Sequence, residues 1–366
     1  MKQPHRPRRR RKTDNPTAKT LLWVGLSTLV GVLSIAAVLS QAREISLGDI
    51  LASAAGMHRG WLAAAVVCML GFIVSEACAI RRSCALLDVR CGARKSLSYS
   101  AADIYFSAIT PSSTGGQPAS ACLMVRDGIP AMKSTAVLIM NLSLFTCSVV
   151  LISVVSIVTR PTIFLHFGIL SRVLIALGGV MQVMLVSFLL LLVRNEKMLS
   201  KIGFKTISLL KKLHIVRREE HTRAKFESHM EQYRLCAAMF SRRKRELWEV
   251  FLFEFLQRFC QVAITMCVYM ALGGGELPAY DVWVLQSFIL MGANYLPVPG
   301  GMGVTDYLML DGFASFMTAD AAVNLEMISR SLSFYSCMLL CGATLLVRIV
   351  VQLCRRKMRA REALEN

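Results

Sequence analysis

Six stretches of this chain, at about 21–40, 61–80, 134–158, 170–193, 248–272 and 328–353, run on with almost no charge. Each is close to the roughly 20 residues that an α-helix needs to cross the hydrocarbon core of a bilayer. No other feature of the sequence restricts the fold so tightly. In hydrocarbon there is no water for backbone N–H and C=O groups, so a spanning segment must pair them internally, as a helix does. The expected class is therefore an all-α polytopic membrane protein with about six transmembrane helices. Composition agrees, because 55% hydrophobic residues and a mean hydropathy of +0.52 are too apolar for an ordinary soluble domain. Ser40-Gln41-Ala42 after the first run resembles a signal-peptide cleavage site. The length of that run and of its basic leader favours an uncleaved signal anchor instead.

The net charge of +19 is concentrated in the N-terminal tail (Arg6 to Lys12), in 194–245 and after residue 355. Beside spanning helices, such clusters mark the cytoplasmic side and touch anionic lipid, a reading we favour over nucleic-acid binding. Residues 41–60 carry Arg43 and Arg59 against Glu44 and Asp49, which suits the outside. Arg81, Arg82, Arg90, Arg94 and Lys95 follow the second run, which suits the inside. Six crossings then leave both termini in the cytoplasm of a multi-pass cell (inner) membrane protein. Trp23, Trp61, Trp248 and Trp283 all fall at predicted segment starts, where an aromatic belt would put them. The twelve cysteines are scattered, mostly in apolar segments, with no CxxC pair, and Cys337 and Cys341 share a helix face. They read as small apolar residues, with no metal site or disulfide framework.

Two segments do not fit as crossings. Residues 99–132 must leave and return on the cytoplasmic side, and they contain "TPSSTGGQPAS" (110–120). Residues 281–326 must leave and return on the outer side, and they contain "LPVPGGMG" (296–303). Each is two short apolar pieces around a Pro/Gly break, the pattern of a re-entrant helical hairpin. The chain then divides into a basic tail (1–19), a first membrane half (20–158), a second half (169–353) and a basic tail (354–366). Each half reads span, span, hairpin, span. Three crossings are odd, so the halves have opposed topology, and paired interrupted segments in such halves point to a transporter's binding site. Within the second half, the basic segment 194–246 has two readings. It is a pair of amphipathic helices on the inner leaflet, or a solvated linker that enforces topology.

The two breaks also carry a resemblance. "TPSSTGGQPAS…MVRDGIP" with "LPVPGGMGVTD" resembles the lysylphosphatidylglycerol synthase/flippase transmembrane-domain family, also described as flippase-like membrane proteins, over about residues 20–350. The first motif falls on Thr110, Pro111, Gly115, Gly116, Gln117, Arg126 and Gly128. The second falls on Pro297, Pro299, Gly300, Gly301, Gly303 and Asp306, the last standing where the family usually has Glu. Arg330, Phe334 and Tyr335 match an arginine-plus-aromatic pattern in the family's last helix. Full synthases continue into a large soluble aminoacyl-transfer domain, whereas this sequence ends shortly after its last apolar run. The resemblance thus implies the translocation half of the family's activity, the movement of a polar lipid between leaflets. Implied partners are membrane lipids, anionic or aminoacylated, together with a second copy of the chain or a separate transferase.

The candidate translocation site comprises the two motifs, with Ser112 and Thr114 added for their hydroxyls, and Arg330 and Tyr335. Unwound backbone and half-helix ends present N–H dipoles that suit a phosphate or carboxylate headgroup. Asp306 is expected in the first turn of the hairpin's second arm, where it pairs with Arg330 or divides a zwitterionic headgroup with it. Glu254 and Arg258 stand four apart, and the plainest account is an intrahelical ion pair. Snorkelling explains Arg126 and Asp127 as well as function does. Topology alone accounts for Glu76, and Asp103 has no obvious partner. Walker A, HExxH and GxSxG motifs in their proper contexts are absent, so no catalytic residue, cofactor or metal is expected. Two rivals stay open. One is a membrane enzyme or subunit of aminoacyl-lipid or lipid-linked glycan synthesis, and the other is a secondary solute transporter. The opposed hairpins are directly testable. Single cysteines at 112–117 should react with impermeant thiol reagents only from the cytoplasmic side, and those at 298–303 only from outside. Labelling of both from one side would overturn the repeat.

Overall fold

The computed structural model describes residues 56–110, 115–194, 242–294 and 303–365. The first apolar run, residues 195–241 and the centres of both breaks, 111–114 and 295–302, lie outside the described residues. The described elements are all helical. In chain order they are α1 (Arg59–Leu86), α2 (Ala93–Ile109), α3 (Gly116–Arg126), α4 (Ala131–Thr159), α5 (Ile163–His166) and α6 (Ile169–Arg194). There follow α7 (Lys244–Ala271), α8 (Ala279–Ala293), α9 (Val304–Phe313) and α10 (Ala319–Arg330). A π-helical segment, Ser331–Ser336, joins α10 to α11 (Cys337–Glu365). Five stretches are long and apolar enough to cross a membrane: Arg59–Leu86, Ala131–Thr159, Ile169–Leu189, Lys244–Ala271 and Ala319–Cys354. They coincide with the predicted runs after the first.

The segments that did not read as spans are two pairs of short helices. In each pair, α2 with α3 and α8 with α9, the arms pack against each other across a break. α1 and α7 form the most extensive helix pair. α2 lies against α1 and α11, and α8 lies against α6 and α7. One apolar cluster gathers α1, α7 and α8 around Phe288, Ile289 and Ile264, and a second gathers the end of α1 with α2, α3 and α4 around Tyr99 and Met124. The outer faces are also apolar, with Ile169 77% and Val158 72% exposed. Large aliphatic side chains on the outside of a bundle require lipid as their solvent.

The polar side chains are inside. The buried face of α4 includes Ser143, Thr146, Ser148, Ser153 and Ser156. Each hydroxyl donates to the carbonyl four residues back, for example Ser143 to Ile139 at 2.7 Å and Ser153 to Val149 at 2.9 Å. That internal bond satisfies the donor and leaves a slim surface against which neighbouring helices pack closely. Asn141 on the same face accepts from Ser83 of α1. Trp248 is exposed at the start of α7, but the aromatic-belt reading fails for Trp283. Trp283 is buried in the core, stacked on Tyr280 at 5.9 Å and packed on Phe259 at 6.1 Å, because α8 is an inner arm and not a lipid-facing span.

Asp127, just past α3, is not a snorkelling surface charge. Its carboxylate accepts from Tyr99 Oη of α2 at 2.6 Å and pairs with Arg348 of α11 at 2.7 Å. The Arg348 guanidinium also lies 5.7 Å from the Tyr99 ring. Both charges are nearly buried, so the pair latches the first hairpin to the last helix. Arg348→Ala leaves Asp127 buried without its cation and should cost on the order of 3 kcal/mol. Arg82→Ala, which breaks the exposed pair with Glu249 at 3.4 Å, should cost little. Thermal melting of the two variants in detergent checks the contrast, and equal melting would remove the latch.

Candidate functional site

The first break is closed by its own side chains. α2 ends at Ile109, and Thr110 turns extended. The Thr110 hydroxyl donates to the Phe106 carbonyl at 2.6 Å and accepts from the Gly115 N–H at 2.8 Å. One side chain thus satisfies a carbonyl at the end of α2 and an N–H at the start of α3, groups that a helix end leaves unpaired. The glycines permit the close approach. A Cβ on Gly116 would collide with the Asp103 carboxylate and the Ser107 hydroxyl of α2. Gln117 then reaches back, its Nε2 donating to Asp103 Oδ2 at 2.6 Å, while Ser107 donates to the other oxygen at 3.3 Å.

Asp103 is therefore partnered across the hairpin. It also belongs to a buried polar pocket where α1, α2 and α7 meet. Glu76 of α1, Asp103 and Glu254 of α7 lie within electrostatic range of one another. Gln257, one turn on from Glu254, donates to Glu76 Oε2 at 3.2 Å. Glu76, expected to serve topology alone, is thus a buried interior residue, only 7% exposed. Packing of α1 against α7 puts it there, a pairing that no local pattern reveals. Arg258, also buried on α7, donates to Gln261 and lies 4.9 Å from the Phe145 ring of α4.

The second break brings together residues far apart in sequence. α9 starts at Val304, as expected, after Gly303 at φ +76°, a left-handed conformation that suits glycine. Asp306 sits in the first turn, and its Oδ2 accepts from the Gly303 N–H at 2.8 Å. The positive end of a helix favours a carboxylate there by roughly 0.3–1 kcal/mol. Its other oxygen pairs with Arg330 at the end of α10. Arg330 is buried, whereas Asp306 is 35% exposed. Glu326, one turn back on α10, lies 3.9 Å from the guanidinium. The Phe334 ring lies 5.7 Å from it, edge-to-face with Tyr335 at 5.3 Å. The π-helical segment begins directly after Arg330, and such widened turns often accompany functional sites. An arginine flanked by two carboxylates and an aromatic pair presents fixed N–H donors of the kind that phosphate and carboxylate groups accept.

Residues 23–341 match the family described as the lysylphosphatidylglycerol synthase TM region. The chain belongs to this family. No curated protein matches the chain. Membership and the apolar helices make it a multi-pass membrane protein related to lipid handling.

In this family member, the structure gathers Thr110, Gly115, Gly116 and Gln117 at one break, and Gly303, Asp306, Arg330 and Tyr335 at the other. Arg126 is apart. It is exposed in the last turn of α3, ten residues beyond Gly116, where its charge complements the helix C-terminus. Pro111, Ser112, Thr114, Pro297, Pro299, Gly300 and Gly301 lie outside the described residues. Sequence reasoning did not single out Gln257, Glu326 or Arg348. Gln257 and Arg348 showed only as polar residues inside apolar runs, and Glu326 as one charge in the mixed stretch before the last run. Gly116→Val should overpack the hairpin and destabilise the protein by about 1–3 kcal/mol. Gly92→Val, where a Cβ meets nothing within 4 Å, is the matched control. Equal melting of the two variants would contradict the tight break.

Proposed function

We propose that this protein binds a phospholipid by its polar headgroup and moves it between leaflets. The observation that carries the reading is the Asp306–Arg330 pair. A lone charge at the bilayer centre costs roughly 2.5–3.5 kcal/mol on insertion, so each of these residues needs a partner of opposite sign. They provide it for each other. An ion pair that is buried on the arginine side and open on the aspartate side can exchange partners at little electrostatic cost. A lipid phosphate takes the place of Asp306 on Arg330, and the freed carboxylate receives an ammonium group on the same headgroup. An anionic or aminoacylated phospholipid carries the groups required. The acyl chains stay in the apolar surroundings, where the outer faces of the bundle already require lipid.

The hairpins fit this task in a bilayer. In our reading they enter from opposite sides of a cell membrane, with both termini in the cytoplasm, and the hairpin at 281–326 carries the headgroup-binding arm. A helix end at membrane depth supplies N–H groups to a phosphate without adding a further charge.

The test is lipid transfer in liposomes containing the purified protein and a headgroup-labelled phospholipid. Asp306→Asn and Arg330→Gln should each slow transfer by about tenfold or more, the scale of losing a charged hydrogen bond of ~1.5–3 kcal/mol. Both proteins should insert and melt normally enough to purify. Transfer by Asp306→Asn at the unaltered rate would reduce the carboxylate to a helix cap and end the assignment. Formation of a new lipid from a donor would instead favour the enzyme reading.

A further inference from the structure

The Asp306–Arg330 pair leaves unexplained the pocket between α1, α2 and α7. It holds the carboxylates of Glu76, Asp103 and Glu254, which are 7%, 9% and 2% exposed. The charged and titratable groups facing it can be named element by element. α1 contributes Glu76, α2 contributes Asp103 and α7 contributes Glu254, while Arg258, one turn on, donates to Gln261 and lies against the Phe145 ring. α11 contributes the thiols of Cys337 and Cys341, which lie within electrostatic range of Glu76. α3 contributes the neutral Gln117. Arg348 is directed to Asp127, and Arg330 to Asp306. Among the described residues, setting Arg258 wholly against the pocket still leaves three carboxylates to one cation.

Two further observations point to what occupies the pocket. The Glu76 and Asp103 carboxylates lie within electrostatic range of each other and both are buried, so two negative charges there repel with little water to screen them. Taking up one proton removes that repulsion. Independently, the Gln257 side chain is 4% exposed and directed at Glu76, and its carbonyl oxygen has no partner. A buried acceptor left unpaired is costly, and an O–H on a neighbouring carboxyl is the donor it lacks.

We propose that Glu76, Asp103 and Glu254 form a proton-binding site, with one exchangeable proton shared among the three carboxylates beneath the first hairpin. Loading forms an O–H bond on a carboxylate oxygen with a proton taken from water on one side of the membrane and removes one negative charge from the pocket. Release returns that proton to water and restores the charge. Asp103 ties this exchange to the hairpin, because its two oxygens hold Gln117 of α3 and Ser107 of α2 and abut Gly116. Protonation weakens an acceptor that both arms share. The Cys337 thiol beside Glu76 lies on the helix that continues from Arg330 through the π-helical segment, so one continuous element touches both the proton pocket and the headgroup site. On the lipid-transfer reading, this proton is the ion that drives transfer.

The site is tested without lipid transfer by infrared difference spectroscopy of the purified protein between mildly alkaline and mildly acidic buffer. A protonated-carboxyl C=O band should grow as the pH falls. Glu76→Gln, Asp103→Asn and Glu254→Gln should each shift or remove that band, whereas Asp88→Asn, at an exposed carboxylate, should leave it. Absence of a titrating band in the unsubstituted protein overturns the proposal, and so does a band that all three substitutions leave in place. A parallel measurement of lipid transfer under an imposed pH gradient separates the two readings. A band that titrates in protein that moves no lipid upholds the proton site and removes the lipid reading. Transfer that is blind to pH in protein with no titrating band removes the proton site alone.

Discussion

A helix that stops inside an apolar medium leaves N–H and C=O groups that nothing outside the protein can satisfy. Both hairpins meet this constraint with side chains. At the first break the Thr110 hydroxyl takes the Gly115 N–H and gives to the Phe106 carbonyl. At the second, Asp306 takes the Gly303 N–H. The second repair has a consequence that the first does not. Aspartate brings a charge, and Arg330 supplies the cation that it pairs with. The Asp306–Arg330 pair thus grows out of the way the broken helix is closed.

The interior is organised around polar groups in place of an oily centre. Serines of α4 bond to their own backbone, Asp127 takes Arg348 and Tyr99, and Asp103 takes Gln117. With lipid as the solvent, apolar surface gains little by being buried, so close packing and internal hydrogen bonds hold the helices together. Such contacts make the first hairpin a part of the bundle rather than an appendage, since its arms are tied to α1 through the Ser100 hydroxyl, which donates to the Ile73 carbonyl, and to α11 through Asp127. The π-helical segment after Arg330 lies between these regions.

Individual residues show how far sequence reasoning reached. Gly115, Gly116 and Gln117 stood out through the motif that carries the family resemblance, and the structure shows a use for each. Asp306 was expected in the first turn of an arm beginning near Val304, since Pro and Gly fix locally where a helix can resume. Glu76 read as a topology marker and Trp283 as a belt residue. Both readings failed for one reason, namely that packing against another helix buries each residue. Glu76 meets Gln257, and Trp283 meets Phe259.

The sequence by itself determined the class, the five spans among the described residues and the helix ends that flank the breaks. These follow from the chain and its solvent alone, because backbone pairing in hydrocarbon demands helices, and Pro and Gly decide where they stop. Only the tertiary structure decided which polar groups share a pocket. Glu76, Asp103 and Glu254 are separated by up to about 180 positions in the chain, and so are Asp127 and Arg348 by more than 200. Partners of that kind are set by which faces of α1, α2, α7 and α11 come together, and helix faces repeat every 3.6 residues without recording what they will meet.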